Sequence, residues 1–324
     1  MRRRDIITLV GGAAAVWPLA ARAQQPMPVV GFLNSASADG YASMAAAFRQ
    51  GLKETGYVDG NNVTIEYRWA EDRYDRLSTL AGDLVSRRAA VIFANLPSIA
   101  SAKAATSTIP IVFLGGDDPV RLGFVASFNR PGGNLTGVSI LSFELAAKRL
   151  GLLRDLVPQA RTIAVLINSD FGPSGRFKVE IESAARALRL PIQFLLANSD
   201  PEIDAAFATL AQAHADALLV GPGPFLDSRR EQLIALAART AIPAAYETRA
   251  TAVAGGLMSY GASVQDGYRQ AGIYTGRILK GEKPAELPVF QLSKFELVLN
   301  LETAKALGIK ISDDLLSVAD EVIE

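Results

Sequence analysis

At 324 residues the chain exceeds what one hydrophobic core usually organises, so two lobes are expected. Its hydrophobic fraction of 49% and charged fraction of 20% are typical of a globular protein and exclude a disordered or fibrous chain. The 33 basic and 33 acidic side chains balance, which argues against nucleic acid as a partner because phosphate binding requires a basic surplus.

The first residues have the pattern of an export signal. A basic start with Arg3 and Arg4 precedes an apolar stretch over residues 6–21, and residues 21–23 (Ala-Arg-Ala) form a small-x-small cleavage site. This pattern predicts a twin-arginine signal peptide over residues 1–23. A membrane anchor is the alternative, but the apolar run is shorter than the ~20 residues that a span requires.

The sequence contains no cysteine. A lipid-anchored exported protein needs a cysteine at its processed N-terminus, so this chain is expected to diffuse freely after export. Free diffusion retains a protein only in a closed compartment. We therefore predict a soluble protein of the periplasm that is not lipid-anchored.

In the first half of the chain, short apolar runs that end in turn formers alternate with segments of helical periodicity. The runs predict strands at 29–33, 63–69, 89–94, 109–114 and 136–140. The periodic segments predict helices at 39–56, 73–88 and 98–106. Turn formers are dense over residues 129–134, and the first crossover between lobes is expected there.

The same alternation begins again in the second half of the chain. It predicts helices at 143–156, 174–189, 201–213 and 227–240, and strands at 162–167, 192–196, 217–220 and 242–246. The last part predicts a return strand at 256–261, a helix at 264–280, an extended segment at 287–300 and a helical C-terminal cap at 302–322.

Repeated β–α units predict parallel sheets with right-handed crossovers. The predicted fold class is therefore α/β, with two doubly wound parallel-sheet lobes joined by a multi-strand hinge. We predict an N-terminal lobe from residues 28–137 plus 258–284 and a C-terminal lobe from residues 138–257 plus 285–324. This division requires the chain to cross between the lobes three times.

Candidate ligand-binding side chains follow the predicted strands, because ligands of open parallel sheets lie beyond the carboxyl ends of the strands. Backbone N–H groups and helix dipoles at such places bind carboxylates, and short polar side chains add donors. The candidates are Ser35, Ser37, Asn95, Ser98, Asp118, Asn168, Tyr246 and Glu247. For each Ser or Asn, capping or turn formation is an equal alternative. Helix capping before Pro119 is the alternative for Asp118, and hinge packing is the alternative for Tyr246.

The residue types that catalysis and metal binding require are scarce. The chain has one histidine, His214, at the end of a predicted helix, which suits a surface position. With no cysteine, Cys–His catalysis is excluded and a zinc site is not expected. No Gly-x-Ser-x-Gly elbow, phosphate loop or glycine-rich dinucleotide turn is present. We predict a protein that is not an enzyme and has no cofactor or metal.

Long stretches resemble one family. They include VVGFLNSAS, FRQGLKETGYVDGNNVTIEYRWAE, IPIVFLGGDDPVRLGFVASFNRPGGNLTGVS and GGLMSYGASVQDGYRQAGIYTGRILKGEKPAELPV. The chain is similar to the ABC-transporter substrate-binding proteins that include the tryptophan type, and especially to the group from soil alphaproteobacteria. Carried over position by position, the resemblance points to Ser35 and Ser37 in FLNSAS and to Asp118 in GDDP as site residues.

The resemblance implies a type I periplasmic-binding-protein fold and solute uptake with an ABC permease and ATPase of the inner membrane. The expected ligand is a small organic solute, an amino acid or an aromatic compound, bound by a monomer. An amino acid would place its carboxylate near residues 95–98 and its ammonium on Asp118 or Glu247. Two alternatives remain: a periplasmic sensor that signals to a membrane partner, and a hydrolase that uses Asp118 or Glu247.

Overall fold

A computed structural model describes residues 27–140, 142–213 and 215–324 of the chain. The predicted signal peptide, residues 1–23, and the histidine at position 214 lie outside the described residues. Within the described part, no helix is both long enough and apolar enough to cross a membrane.

The chain alternates between strands and helices along its length. In the first half the elements are β1 (Val29–Asn34), α1 (Ala42–Glu54), β2 (Thr64–Trp69), α2 (Leu77–Ser86), β3 (Val91–Asn95), α3 (Ser98–Ala105), β4 (Ile111–Gly115), β5 (Leu135–Ser139) and α4 (Ala146–Leu156). In the second half they are β6 (Ile163–Ile167), α5 (Ser174–Leu188), β7 (Ile192–Leu196), α6 (Asp200–Ala213), β8 (Ala217–Val220), α7 (Pro224–Ser228), α8 (Arg230–Thr240), β9 (Ala244–Tyr246) and α9 (Arg249–Val253). The last part contains β10 (Met258–Ala262), α10 (Val264–Leu279), β11 (Phe290–Gln291), β12 (Phe295–Asn300), α11 (Leu301–Ala306), α12 (Asp313–Ser317) and β13 (Glu321–Ile323).

These strands form two sheets. The first has the order β11-β5-β4-β3-β1-β2 and all its pairs are parallel. The second has the order β13-β12-β10-β9-β8-β6-β7, and its one antiparallel pair is β10 with β12 in the described residues. Strands β3, β4 and β6 are buried along their whole length and β1 at all but its first residue, and apart from the asparagines that end β1 and β3 they have no polar side chain, as expected for parallel strands covered by helices on both faces. The predicted fold class, two parallel-sheet α/β lobes, is confirmed.

The core of the first lobe depends on close contact between α1 and α10. Phe32, Phe48 and Tyr268 are buried together between the sheet and these helices. Glycine makes the approach possible: a Cβ added at Gly272 would lie 2.1 Å from the carbonyl oxygen of Phe48, and one added at Gly51 would lie 1.8 Å from a backbone oxygen of α10. Helix α10 therefore belongs to the first lobe, although most of the second lobe precedes it in sequence.

Within the described residues the chain passes between the two sheets three times, after β5, after β10 and after β11. The boundaries differ from the predicted ones. Residues 258–262 form β10, which pairs with β9 and β12 in the second sheet, so only the later part of the predicted segment 258–284 packs on the first lobe. Residues 290–291 form β11, which pairs with β5 in the first sheet rather than joining the second lobe.

The C-terminal segment also differs from the continuous helical cap expected over 302–322. Helix α11 ends before Gly308, whose φ of +68° is the left-handed conformation that glycine adopts readily at a helix end. Ser312 then caps α12 by accepting a hydrogen bond from the Leu315 N–H. The final residues leave helical structure altogether and form β13, parallel to β12. Edge pairing to β12 explains this strand, and helical periodicity does not reveal it.

Candidate functional site

A cavity lies between the lobes at the carboxyl ends of the strands. It contains about 520 Å³ of empty space when its mouth toward solvent is included. Its apolar wall includes Leu96, Leu114, Ile140, Phe143, Phe171 and Val264. Its polar wall includes Tyr41, Asn95, Asp227, Glu247, Thr248 and Tyr268. Because both lobes contribute to each wall, a molecule held here would contact both.

In the first lobe, a buried hydrogen-bond network orients Asn95 toward the cavity. The Asn95 Oδ1 accepts from the Ser35 N–H at 2.9 Å and from the Ser98 hydroxyl at 2.9 Å, and its Nδ2 donates to the Ser35 hydroxyl at 3.0 Å. Beside it, Asn34 Nδ2 donates to the Tyr268 hydroxyl at 2.8 Å. Since Ser35 and Ser98 are fully buried, they position Asn95 and do not themselves line the cavity.

Two carboxylates of the second lobe line the same cavity. Asp227 is carried by α7, and its Oδ1 accepts a hydrogen bond from the Thr248 hydroxyl at 2.8 Å. Glu247 follows β9 directly. Burial raises the pKa of Asp227, against hydrogen bonds from Thr248 and Tyr41 and the charge of Arg230, which lower it. Burial likewise raises the pKa of Glu247, against the nearby Arg149 and a hydrogen bond from Ser142.

Arg149 is buried near Glu247 and does not line the cavity. Its side chain has no exposed surface, and its Nη2 donates to the Ser142 carbonyl oxygen at 2.7 Å. Its Nε and Nη1 atoms have no hydrogen-bond partner within the described part of the chain. Burial lowers the pKa of Arg149, and the neighbouring Glu247 opposes this effect. An arginine without solvent contact is costly unless a negative charge compensates it, and the attraction of Glu247 supplies part of that compensation.

The apolar end of the cavity contains an aromatic pair. The rings of Phe143 and Phe171 are edge to face, with centroids 6.4 Å apart and planes at 62°. The loop that carries Phe171 is fixed by Asn168, whose Oδ1 accepts from the Phe171 N–H at 2.9 Å. Ring edges and faces at this spacing suit an aromatic or aliphatic guest.

The lobes are closed over the cavity by two ion pairs. Arg229 of the second lobe lies 3.1 Å from Asp72 of the first, and Arg176 of the second lobe pairs with Asp117 of the first. Asp72 has a φ of +59°, which is uncommon for a residue other than glycine. Its N–H donates to the Ser35 carbonyl oxygen at 2.9 Å, which holds this conformation in place.

Of the eight predicted site residues, Asn95 and Glu247 line the cavity, and Ser35 and Ser98 lie behind Asn95. Ser37 accepts from the Gly40 N–H at 3.2 Å in the loop before α1. The remaining three are Asp118, Asn168 and Tyr246.

These three residues have structural partners. Asp118 Oδ1 accepts from the N–H groups of Val120 and Arg121, so it caps a turn away from the cavity wall. Asn168 supports the Phe171 loop. Tyr246 is 3% exposed, and it packs in the core of the second lobe beside Gly256. Its position corresponds to the packing alternative, within a lobe rather than in a hinge.

The sequence did not identify Tyr41, Asp227 or the pair Phe143 and Phe171. Asp227 follows the glycine- and proline-rich exit of β8 by three residues, and a carboxylate in the first turn of a helix after such an exit is the signal that could have indicated it. Tyr41 immediately precedes α1, so the sequence pattern assigns its ring to the apolar face of that helix. The two phenylalanines have no distinguishing pattern, because buried core residues look the same in sequence.

Comparisons with known proteins agree with this architecture. A tyrosine-binding protein of Clostridioides difficile strain R20291 is 29% identical over 273 residues, which cover 82% of this chain and 77% of that protein. An ABC domain from Streptococcus pneumonia, solved in complex with L-Trp, is 26% identical with a TM-score of 0.81, covering 91% of this chain and 99% of that one.

A conserved domain protein from Vibrio cholerae O1 biovar El Tor has a TM-score of 0.84 at 23% identity, covering 91% of this chain and 99% of that one, which shows the shared fold. The model of the ABC transporter substrate binding protein family matches residues 29–323, almost the whole described chain. This chain therefore belongs to the ABC transporter substrate-binding protein family.

Proposed function

We propose that this chain is the periplasmic solute-binding component of an ABC uptake transporter and that it binds an aromatic amino acid between its lobes. The observation that carries the proposal is the composition of the cavity wall. Two carboxylates, Asp227 and Glu247, lie on the same wall of a site that also contains the phenyl rings of Phe143 and Phe171. The ammonium of an aromatic amino acid matches the two carboxylates, and its aromatic side chain matches the phenyl rings.

The known binding proteins similar to this chain support the same ligand class, since one is named for tyrosine and another was solved with L-Trp. In this proposal the protein acts as a monomer that closes on its ligand and delivers it to a permease and ATPase of the inner membrane. Closure brings contacts from both lobes onto the ligand at once, so the ligand shifts the population from open to closed. No catalytic step is involved.

The proposal is tested by calorimetric titration of the mature chain, beginning at Gln24, with L-Trp, L-Tyr, L-Phe and a set of aliphatic and cationic amino acids. We expect saturable binding of at least one aromatic amino acid. Because a hydrogen bond to a charged group contributes about 1.5–3 kcal/mol, Asp227→Asn is expected to weaken binding by about tenfold or more. Absence of binding for every aromatic amino acid would contradict the proposal.

Asp118→Asn is the matched control, because this carboxylate caps a turn away from the cavity. Its binding constant is expected to stay within about twofold of the wild type, since 0.4 kcal/mol is about twofold. Location and transport are tested separately. The tagged full-length protein should fractionate with the periplasm, and deletion of its gene should reduce uptake of the ligand found by calorimetry. Export that survives Arg3→Lys and Arg4→Lys together would contradict the twin-arginine route.

A further inference from the structure

A second cavity lies within the second lobe. It contains about 790 Å³ of empty space when its mouth toward solvent is included, and none of its described lining residues also lines the inter-lobe cavity. Helix α8, strand β9, the turn before β10 and helix α11 form its wall. The solute site between the lobes therefore does not account for this space.

Small residues keep the second cavity open. Half of its lining residues are alanine or glycine, among them Ala237, Ala241 and Ala306. The rim is fixed by Thr303, whose hydroxyl donates to the Gly255 carbonyl oxygen at 2.8 Å and ties α11 to the turn before β10. Aliphatic side chains form most of the remaining wall, so the space suits an apolar guest.

One polar side chain is buried at this wall without a partner. Tyr246 lines the cavity and is 3% exposed, and its hydroxyl forms no hydrogen bond to any residue that the structure describes. Its ring borders the cavity next to Gly256, where an added Cβ would lie 2.9 Å from the Tyr246 Cε2 atom. A buried phenol usually has a hydrogen-bond partner, because an unpaired hydroxyl loses its hydration without compensation. A bound molecule with a hydrogen-bond acceptor would supply that partner.

The charge at the mouth narrows the ligand class. Glu302 is the one charged residue among the described lining residues, and it is exposed on α11. A carboxylate at the entrance disfavours an anion. It gives a cation little in return, because an attraction between solvent-exposed charges is weak and screened by salt. The buried part of the wall is uncharged, which favours an uncharged molecule.

We propose that this cavity is a second small-molecule site, for an uncharged and mainly apolar molecule that carries one hydrogen-bond acceptor. The Tyr246 hydroxyl donates to that acceptor, and the alanine and leucine side chains of the wall surround the apolar body. The proposal goes beyond the solute-binding function and does not depend on it, because no residue of the inter-lobe cavity takes part.

The test is NMR of the protein with carbon-13-labelled alanine methyl groups, since Ala237, Ala241 and Ala306 report on the cavity directly. One probe is acetophenone, which carries a carbonyl acceptor. The second is α-methylstyrene, in which a methylene group replaces the carbonyl oxygen, and benzoate is the anionic probe. We expect saturable shifts of these methyl groups with acetophenone, binding of α-methylstyrene that is weaker by about threefold or more, and no saturable shift with benzoate.

Two variants locate the effect. Tyr246→Phe removes only the hydroxyl and is expected to weaken acetophenone binding by about threefold to tenfold, while α-methylstyrene binds as before. Ala306→Trp places a large ring at an exposed position of the rim and is expected to block both probes. Tyr57→Phe, in the first lobe, is the matched control and should bind both probes like the wild type. Circular dichroism and thermal melting confirm that each variant is folded.

The site is overturned if acetophenone shifts no alanine methyl group of this cavity, or if it binds Ala306→Trp as well as the wild type. Equal affinity for acetophenone in Tyr246→Phe and the wild type would refute the role of the hydroxyl, and tight binding of benzoate would refute the ligand class. None of these outcomes bears on the titration with aromatic amino acids, so failure of this site and failure of the proposed function are distinguishable.

Discussion

The ion pair between Asp72 and Arg229 is one of the two that join the lobes, and its removal is expected to weaken ligand binding without touching the cavity. The two charged atoms are 3.1 Å apart, and the side chains are 9% and 28% exposed. A fully exposed pair contributes about 0.2–1 kcal/mol and a hydrogen bond to a charged group about 1.5–3 kcal/mol, so this half-buried pair is expected to stabilise the closed state by about 1–2 kcal/mol.

That free energy corresponds to a five- to thirtyfold change in the ratio of closed to open molecules, at about tenfold per 1.4 kcal/mol. Apparent affinity falls in proportion to the fraction of binding-competent molecules. Arg229→Met is therefore expected to raise the dissociation constant by about five- to thirtyfold. The measurement is calorimetric titration with the ligand of the wild type, and small-angle scattering should show a larger radius at subsaturating ligand.

Arg277→Met is the matched control, since Arg277 forms an ion pair with Glu282 inside the first lobe. A double-mutant cycle with Asp72→Asn isolates the pair, because Arg229 also contacts Asp200 within its own lobe. Wild-type ligand affinity in Arg229→Met, or a cycle in which the two substitutions act independently, would refute a contribution of this ion pair to closure.

Two further predictions concern stability. Gly272→Ala places a Cβ 2.1 Å from the Phe48 carbonyl oxygen and is expected to lower the free energy of unfolding by about 1–3 kcal/mol or more, because it forces α1 and α10 apart. The control is Gly82→Ala, in a helix where no atom lies within 4 Å of the added Cβ. It is expected to be neutral or to stabilise the protein by up to about 1 kcal/mol. Thermal melting of both variants checks this, and equal melting temperatures would contradict it. Burial raises the pKa of Asp227 and Glu247 in the folded chain. The folded state therefore holds more protons than the unfolded state above about pH 4. As the pH rises through the raised pKa values, ionisation of these two groups lowers the free energy of unfolding of the ligand-free protein. The melting temperature of Asp227→Asn/Glu247→Gln relative to the wild type is therefore expected to increase from acidic to neutral pH, and a difference that does not vary with pH would count against this sign.

Local sequence patterns predict the fold class because each β–α unit carries its own signals. Buried strands such as β3 and β4 are continuous apolar runs, and the turn formers after them mark the strand ends. The assignment of β10 to a lobe failed for a different reason. An apolar run does not specify the strand with which it pairs, and the pairing of β10 with β9 and β12 depends on contacts that only the folded chain defines.

The location of the site followed from topology, while the identity of its side chains did not. Asp118 and Asp227 both follow glycine-rich strand exits, yet Asp118 uses its carboxylate to cap a turn and Asp227 presents its carboxylate to the cavity. The difference depends on the direction in which the folded chain places each side chain. That direction is a property of the tertiary structure, which periodicity and spacing do not encode.

The loop after β1 connects the cavity with the ion pair that closes it. The Ser35 N–H and hydroxyl orient the amide of Asn95 at the cavity wall, and the Ser35 carbonyl oxygen accepts the N–H of Asp72, whose side chain reaches Arg229 of the other lobe. A ligand that contacts Asn95 therefore acts on a residue that two hydrogen bonds link to Asp72, one partner of the inter-lobe ion pair. Ser35 is fully buried, and its N–H, hydroxyl and carbonyl groups all form hydrogen bonds. It therefore couples Asn95 to Asp72 through the position of its backbone and not through a charge. Binding and closure can thus be coupled through backbone geometry, without any ligand atom contacting Asp72 or Arg229.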